Sequence, residues 1–291
     1  MQVYRTPEER FAALPDYPFA PNYHQVSPEL RMHYLDEGDR TAPAVLMLHG
    51  EPSWSYLYRH MIGPVAAAGH RVLAPDLIGF GKSDKPLAAS DYSYAKHVAW
   101  LRHWIEVLDL KGLTLVCQDW GSLLGLRLAA EMPERFDRIV LSNGGLPEGN
   151  PLPRAFRIWR AFSRWSPVFP IGKLIQAGSA RRLSDAEVAA YDAPFPTKAS
   201  KAAARIFPNF VPASPADPAI PAQRAAWAVY EKWDKPFVCC FSDGDPITRG
   251  GDAPFLTRVP GTKGQPHRTL HGKHFIQEDD PAGFVAAILD H

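Results

Sequence analysis

Cysteine is scarce: the 291 residues contain three, two of them adjacent at Cys239 and Cys240. So few thiols cannot form a disulfide framework. They fit buried small-hydrophobe roles in a reducing compartment, which makes the cytoplasm the expected location. Net charge is nearly absent as well. The 32 Lys and Arg oppose 31 Asp and Glu for a formal +1, the basic residues are spread along the chain, and no nucleic-acid partner is expected. No run approaches the ~18 consecutive apolar residues of a spanning helix. Residues 1–20 carry Glu8, Glu9 and Asp16 where a signal peptide would be apolar, so neither membrane insertion nor secretion is expected. An internal repeat, a metal-ligand cluster and a Gly-x-Gly-x-x-Gly fingerprint are missing too. Gly79 and Gly81 read as an ordered loop, and neither a metal nor an organic cofactor is expected.

Apolar material is ample. Hydrophobic residues make up 46% of the chain, and a chain this long removes roughly 75% of its extended surface from water on folding. At ~150 residues per domain the length suits two domains, or one large domain with an insertion. Proline, at 29 residues, is roughly double its ordinary ~5% share and scattered, which predicts many ordered loops.

Short apolar runs at 44–48, 71–75, 113–117, 138–142 and 236–241 are bounded by Gly, Pro, Asn or Asp and read as strands buried on both faces. Helical patterns at 54–68, 94–108, 121–132 and 221–233 lie between them. This order predicts an α/β fold with a mostly parallel sheet flanked by helices and joined by right-handed crossovers. From 144 to 218 the strand signal lapses into helical-length pieces such as 153–164 and 184–191. A helical insertion is expected there, dividing the chain into a core of 1–143 plus 219–291 and a cap of 144–218. A late strand near 267–270 and a closing helix at 281–289 complete the pattern, and the first ~40 residues hold one or two antiparallel edge strands, 31–35 being the clearest.

The run Leu113–Asp119 ends a buried strand and enters an apolar helix with Cys117 and Gly121 two positions either side of Asp119. Small neighbours at that spacing mark a nucleophile elbow, whose central side chain is strained and exposed at the strand end. Its centre here is a carboxylate instead of a serine. At an ordinary pKa near ~3.9 it is ionised at neutral pH, and it can attack saturated carbon without a base to deprotonate it. The competing reading is a simple N-cap for the following helix. An acid after the 236–241 strand and a late histidine give the order nucleophile, acid, base. Asp245, deeper in its loop and before Pro246, is preferred to Asp243. His274, a short loop after the last strand, is preferred to His271 and His267.

At His49-Gly50-Glu51-Pro52-Ser53-Trp54, Asp76 to Pro86, Asp119-Trp120-Gly121 and His274-Phe275-Ile276-Gln277-Glu278, the sequence closely resembles the haloalkane dehalogenases of the α/β-hydrolase superfamily. The likeness runs nearly end to end, from Arg5–Phe11 through Tyr191–Pro196 to the final histidine. His-Gly-x-Pro and Asp-Trp-Gly occur also in epoxide hydrolases; Gln118, Glu51 and a second tryptophan in the insertion discriminate. The resemblance implies an α/β-hydrolase fold with a helical cap after the sixth strand, and a catalytic set of Asp119, His274 and Asp245. Glu51 marks the branch whose second halide-binding tryptophan lies in the cap. Trp120 and Trp159 would therefore hold halide, with Trp165 the competitor of Trp159. The backbone N–H groups of Glu51 and Trp120 would form the oxyanion hole. Phe156, Phe162, Phe207 and Pro208 are expected pocket walls. The implied substrate is a halogenated alkane, hydrolysed with water to a primary alcohol, halide and a proton. An epoxide hydrolase would need a pair of lid tyrosines, and residues 144–218 contain only Tyr191. A non-catalytic ligand binder on the same fold is the remaining alternative. The sequence does not fix oligomeric state; a monomer is the default expectation.

Overall fold

Eight strands build one central sheet in this computed structural model, which describes residues 1–290; His291, the last residue of the expected core, lies outside the described residues. They are β1 (Asn22–Ser27), β2 (Leu30–Glu37), β3 (Ala44–Leu48), β4 (Arg71–Pro75), β5 (Leu113–Asp119), β6 (Phe136–Gly144), β7 (Phe237–Ser242) and β8 (Arg268–Leu270). Their order across the sheet is β8-β7-β6-β5-β3-β4-β2-β1. Only β1–β2 and β2–β4 pair antiparallel. Every residue of β3 and β7 is buried, which is why these strands read as unbroken apolar runs.

Helices α1 (Arg59–Ala67), α2 (Tyr94–Val107) and α3 (Trp120–Glu131) fill the first crossovers. The expected helix at 54–68 opens as a 3-10 turn, Ser55–Tyr58, because Asp76 Oδ1 takes the Ser55 N–H at 2.8 Å. α2 opens on Ser93, whose hydroxyl accepts the Lys96 N–H. α3 lies directly on the sheet: a Cβ added to Gly121 would run into the Leu48 carbonyl of β3.

After β6, the sixth strand of the sheet, the chain leaves it for α4 (Arg154–Trp165), α5 (Ile171–Ala177), α6 (Asp185–Asp192) and α7 (Ala202–Ile206). It returns through α8 (Ile220–Tyr230) to β7. α4 turns Phe156, Trp159 and Phe162 inward and Arg154, Arg157, Arg164 and Trp165 outward. A capping box of Ser184 and Glu187 starts α6. α9 (Ala253–Arg258), α10 (Ile276–Asp279) and α11 (Pro281–Leu289) follow, and α11 packs on α1. Among the described residues no helix is long and apolar enough to cross a membrane. All three cysteines are buried and unpaired, as their small-hydrophobe reading expects.

Candidate active site

β5 delivers Asp119 to the carboxyl end of the sheet, and α3 begins at the next residue. Asp119 has φ 50° and ψ −125°, a conformation that costs a side-chain-bearing residue about 1–3 kcal/mol. Close packing holds it there: Gly121 touches the Leu48 carbonyl, and a Cβ on Gly50 would overlap the Asp119 side chain. The carboxylate makes no capping bond to α3, so the N-cap reading fails. Instead Oδ1 accepts the Glu51 N–H at 2.7 Å.

His274 faces the other carboxylate oxygen, its Nε2 lying 3.5 Å from Asp119 Oδ2. Its Nδ1 is 2.8 Å from Asp245 Oδ2. Asp245 is fully buried and also accepts the Ile247 N–H at 2.9 Å and the Thr248 hydroxyl. Burial opposes its ionisation, but the charge and hydrogen bond of His274 outweigh it and hold the carboxyl down at about 2. Burial likewise opposes the imidazolium, yet Asp245 and Asp119 push His274 up to about 10. The backbone of His274 is fixed as well, since Gln118 Nε2 and Asn143 Nδ2 each donate to its carbonyl at 3.1 Å. Asn143 was invisible to motif reasoning; its place at the end of a buried strand is the only signal.

The competing candidates lie elsewhere. Asp243 and His271 pair with each other at 2.6 Å, with the His271 side chain 92% exposed. His267 is tied structurally, accepting the Cys239 N–H at 3.1 Å while its Nε2 lies 2.9 Å from the Thr262 carbonyl.

Two cavities meet at Asp119. One, of about 390 Å³, is lined by Glu51, Phe156, Trp159, Leu174, His274 and Phe275 among others. The second, of about 300 Å³, lies on the side of Trp120, Leu123, Leu152 and Val211. Phe156 and Ile247 border both. Trp165, by contrast, is 73% exposed on the outer face of α4. Three expected wall residues are displaced from the lining. Phe162 stacks behind Trp159 with ring centroids 5.9 Å apart. Phe207 is fully buried against the Trp120 ring at 4.8 Å, and Pro208 is buried in the same 3-10 turn, Phe207–Phe210. They support tryptophans or helices instead of touching the space. Leu174, Leu123, Val211 and Ile247, which do line the two cavities, lie far apart in sequence, and nothing in their local runs separates them from ordinary core residues.

Glu51 is buried beside the nucleophile candidate. Burial lifts its carboxyl well above the usual carboxylate range and the charge of Asp119 adds to this, whereas His274 and the nearby Trp159 indole pull it back. Tyr191, the single tyrosine of residues 144–218, is buried and donates its hydroxyl to Glu278. Among the described residues, His60, Glu187 and Glu278 bring three potential metal ligands together. Arg59 and Arg181 already neutralise both carboxylates, leaving no net negative charge to attract a cation.

Residues 43–281 match the family model described as the alpha/beta hydrolase fold. A haloalkane dehalogenase of Mycobacterium marinum is 53% identical over 99% of both chains. One of Psychrobacter cryohalolentis is 53% identical over 96% of this chain and 94% of its own. Among solved structures, the tetrameric haloalkane dehalogenase DpaA from Paraglaciecola agarilytica NO2 superposes with a TM-score of 0.94 at 36% identity, covering 100% of this chain and 99% of that one. Likeness of this extent reaches the core, the helical segment between β6 and β7 and the residues around Asp119 together, and the chain belongs to the haloalkane dehalogenase family of α/β-hydrolases.

Proposed function

We propose that the enzyme hydrolyses a haloalkane to a primary alcohol, halide and a proton through an alkyl ester on Asp119. The observation that carries this reading is a carboxylate at the elbow with the His274 imidazole 3.5 Å from its outer oxygen. In the first step Asp119 Oδ2 attacks the halogen-bearing carbon in line; the new C–O bond forms as the carbon–halogen bond breaks and its electron pair leaves with the halide. Indole N–H groups donate and accept nothing, so Trp159 and Trp120, each lining a cavity that Asp119 also lines, suit a halide in apolar surroundings.

Esterification removes the charge of Asp119. One of the two carboxylates that sustain the His274 imidazolium is then gone, its pKa falls, and the neutral ring can take a proton from water. Hydroxide adds to the Asp119 carbonyl, and the oxyanion develops where Oδ1 now accepts the Glu51 N–H at 2.7 Å, with the first N–H of α3, that of Trp120, completing the hole. Collapse expels the alkoxide, which takes the imidazolium proton, and the regenerated carboxyl releases the net proton. Asp245 keeps the imidazole oriented and stabilises its charge. We read 144–218 as the cap over this site and 1–143 with 219–291 as the core. Buried free thiols are compatible with the cytoplasmic setting we propose.

Incubating a His274→Phe variant with a bromoalkane tests the chemistry: intact-protein mass spectrometry should find an alkyl adduct that peptide mapping assigns to Asp119. No adduct would favour a binding protein. Turnover of a terminal epoxide as fast as 1,2-dibromoethane would favour the epoxide hydrolase.

A further inference from the structure

We infer that Asp279 is a positioning residue for His274, one that ties the histidine loop to residues 178–181 of the helical insertion and so makes the geometry of water activation depend on the seat of the cap. The inference rests on the two-step reading above. The Asp279 carboxylate gathers backbone donors from both sides: the Lys273 N–H at 2.7 Å, the Ala180 N–H at 2.7 Å and the Arg181 N–H at 3.0 Å. Lys273 immediately precedes His274. Immediately after it, the Phe275 N–H is donated to the Gly178 carbonyl at 3.1 Å. Arg181 then reaches back, its Nε donating to the Glu278 carbonyl at 2.7 Å and its guanidinium pairing with the Glu278 carboxylate.

His274 therefore sits between two residues whose amides are both committed to this seam, while its carbonyl is held from the core by Gln118 and Asn143. Gly178 and Ala177 also line the 390 Å³ cavity beside His274 and Phe275, so one stretch of backbone shapes the substrate space and anchors the base. Approach is close enough that a Cβ on Gly272 would overlap the Asp279 side chain. Asp119 and its Glu51 donor, by contrast, are held by β5 and the loop after β3 and make no bond to the seam. Loss of Asp279 should accordingly fall on ester hydrolysis, which needs His274, more than on carbon–halogen cleavage, which does not.

Single-turnover kinetics of Asp279→Ala with 1,2-dibromoethane separate the two steps. Hydrolysis should slow on the order of 10-fold or more, as a misplaced base does, with cleavage within about threefold of the parent and the alkyl ester on Asp119 accumulating at steady state. Asp279→Asn, which keeps one acceptor oxygen, should fall between. Equal slowing of both steps, or unchanged partition between them despite a lower Tm, would overturn the inference by reducing Asp279 to a structural residue. If Asp279→Ala does not fold, Arg181→Met cuts the same seam from the other side and should shift the partition in the same direction; no shift there overturns it too. A His274→Phe protein that forms no ester would instead overturn the chemistry itself.

Discussion

Asp119 keeps a positive φ because its surroundings leave it no alternative, and His274 keeps a proton because two carboxylates outweigh its burial. The second fact has two consequences for pH. A folded-state pKa raised to about 10 stabilises the fold fully below the unfolded value near ~6.5, and that contribution is lost as pH climbs towards 10. In the ester the Asp119 charge is gone, so hydrolysis should rise with pH through an ionisation of His274 below the free enzyme's, while cleavage, which takes no proton to or from the imidazole, should not follow that ionisation between about pH 6 and about pH 9. Single-turnover rates across that range check this; a cleavage step following the same ionisation would contradict it. The tryptophans give a cleaner residue-scale test. Removing one indole donor from an anion costs about 1.5–3 kcal/mol, so Trp159→Phe should weaken bromide inhibition about 10- to 150-fold. Trp165→Phe, on an outward and 73% exposed side chain, should leave it unchanged.

At the scale of elements, the strand–elbow–helix unit of β5 and α3 sets the site. Gly121→Ala would push a methyl into the Leu48 carbonyl; overpacking of this kind costs about 1–3 kcal/mol. Urea unfolding should register that loss, with activity falling further because the elbow that aims Asp119 must shift. The long elements were legible in the residues: unbroken apolar runs gave the buried strands, and the α4 periodicity gave a helix within one residue of its observed ends. Other elements were not. α5, α7 and α9 are short, α5 starts just after Pro170 and contains Gly172, α7 continues a 3-10 turn, and α9 has Pro254 in its first turn, so their local signal is weak. The two-residue pairing of Val3–Tyr4 with Lys85–Pro86 joins segments too far apart for any local pattern to announce.

At the scale of the whole molecule, buried charge joins the insertion to the core. Arg59 on α1, its side chain fully buried, pairs with Glu278 on α10 at 2.6 Å and with Glu187 on α6 at 2.8 Å. Deleting one member of such a group leaves its partners buried and uncompensated, which costs about 3–5 kcal/mol. Arg59→Met should lower stability by that amount in denaturant titration, and a loss under about 1 kcal/mol would mean that Arg181 alone satisfies both carboxylates.

Much of this enzyme could be read before folding, because its strands, its elbow and its order of nucleophile, acid and base are written in contiguous stretches of chain. Steric demand around Asp119 appears as small neighbours, and burial on both faces appears as apolar runs. What three dimensions alone decided is how distant residues share one space. Asp243 pairing with His271 in solvent, Trp159 turning inward while Trp165 turns out, Phe162 and Phe207 backing tryptophans without lining either cavity at Asp119, and Asp279 bridging two segments all depend on contacts between residues remote in the chain. Packing selects among chemically similar side chains by position, and position is a property of the fold.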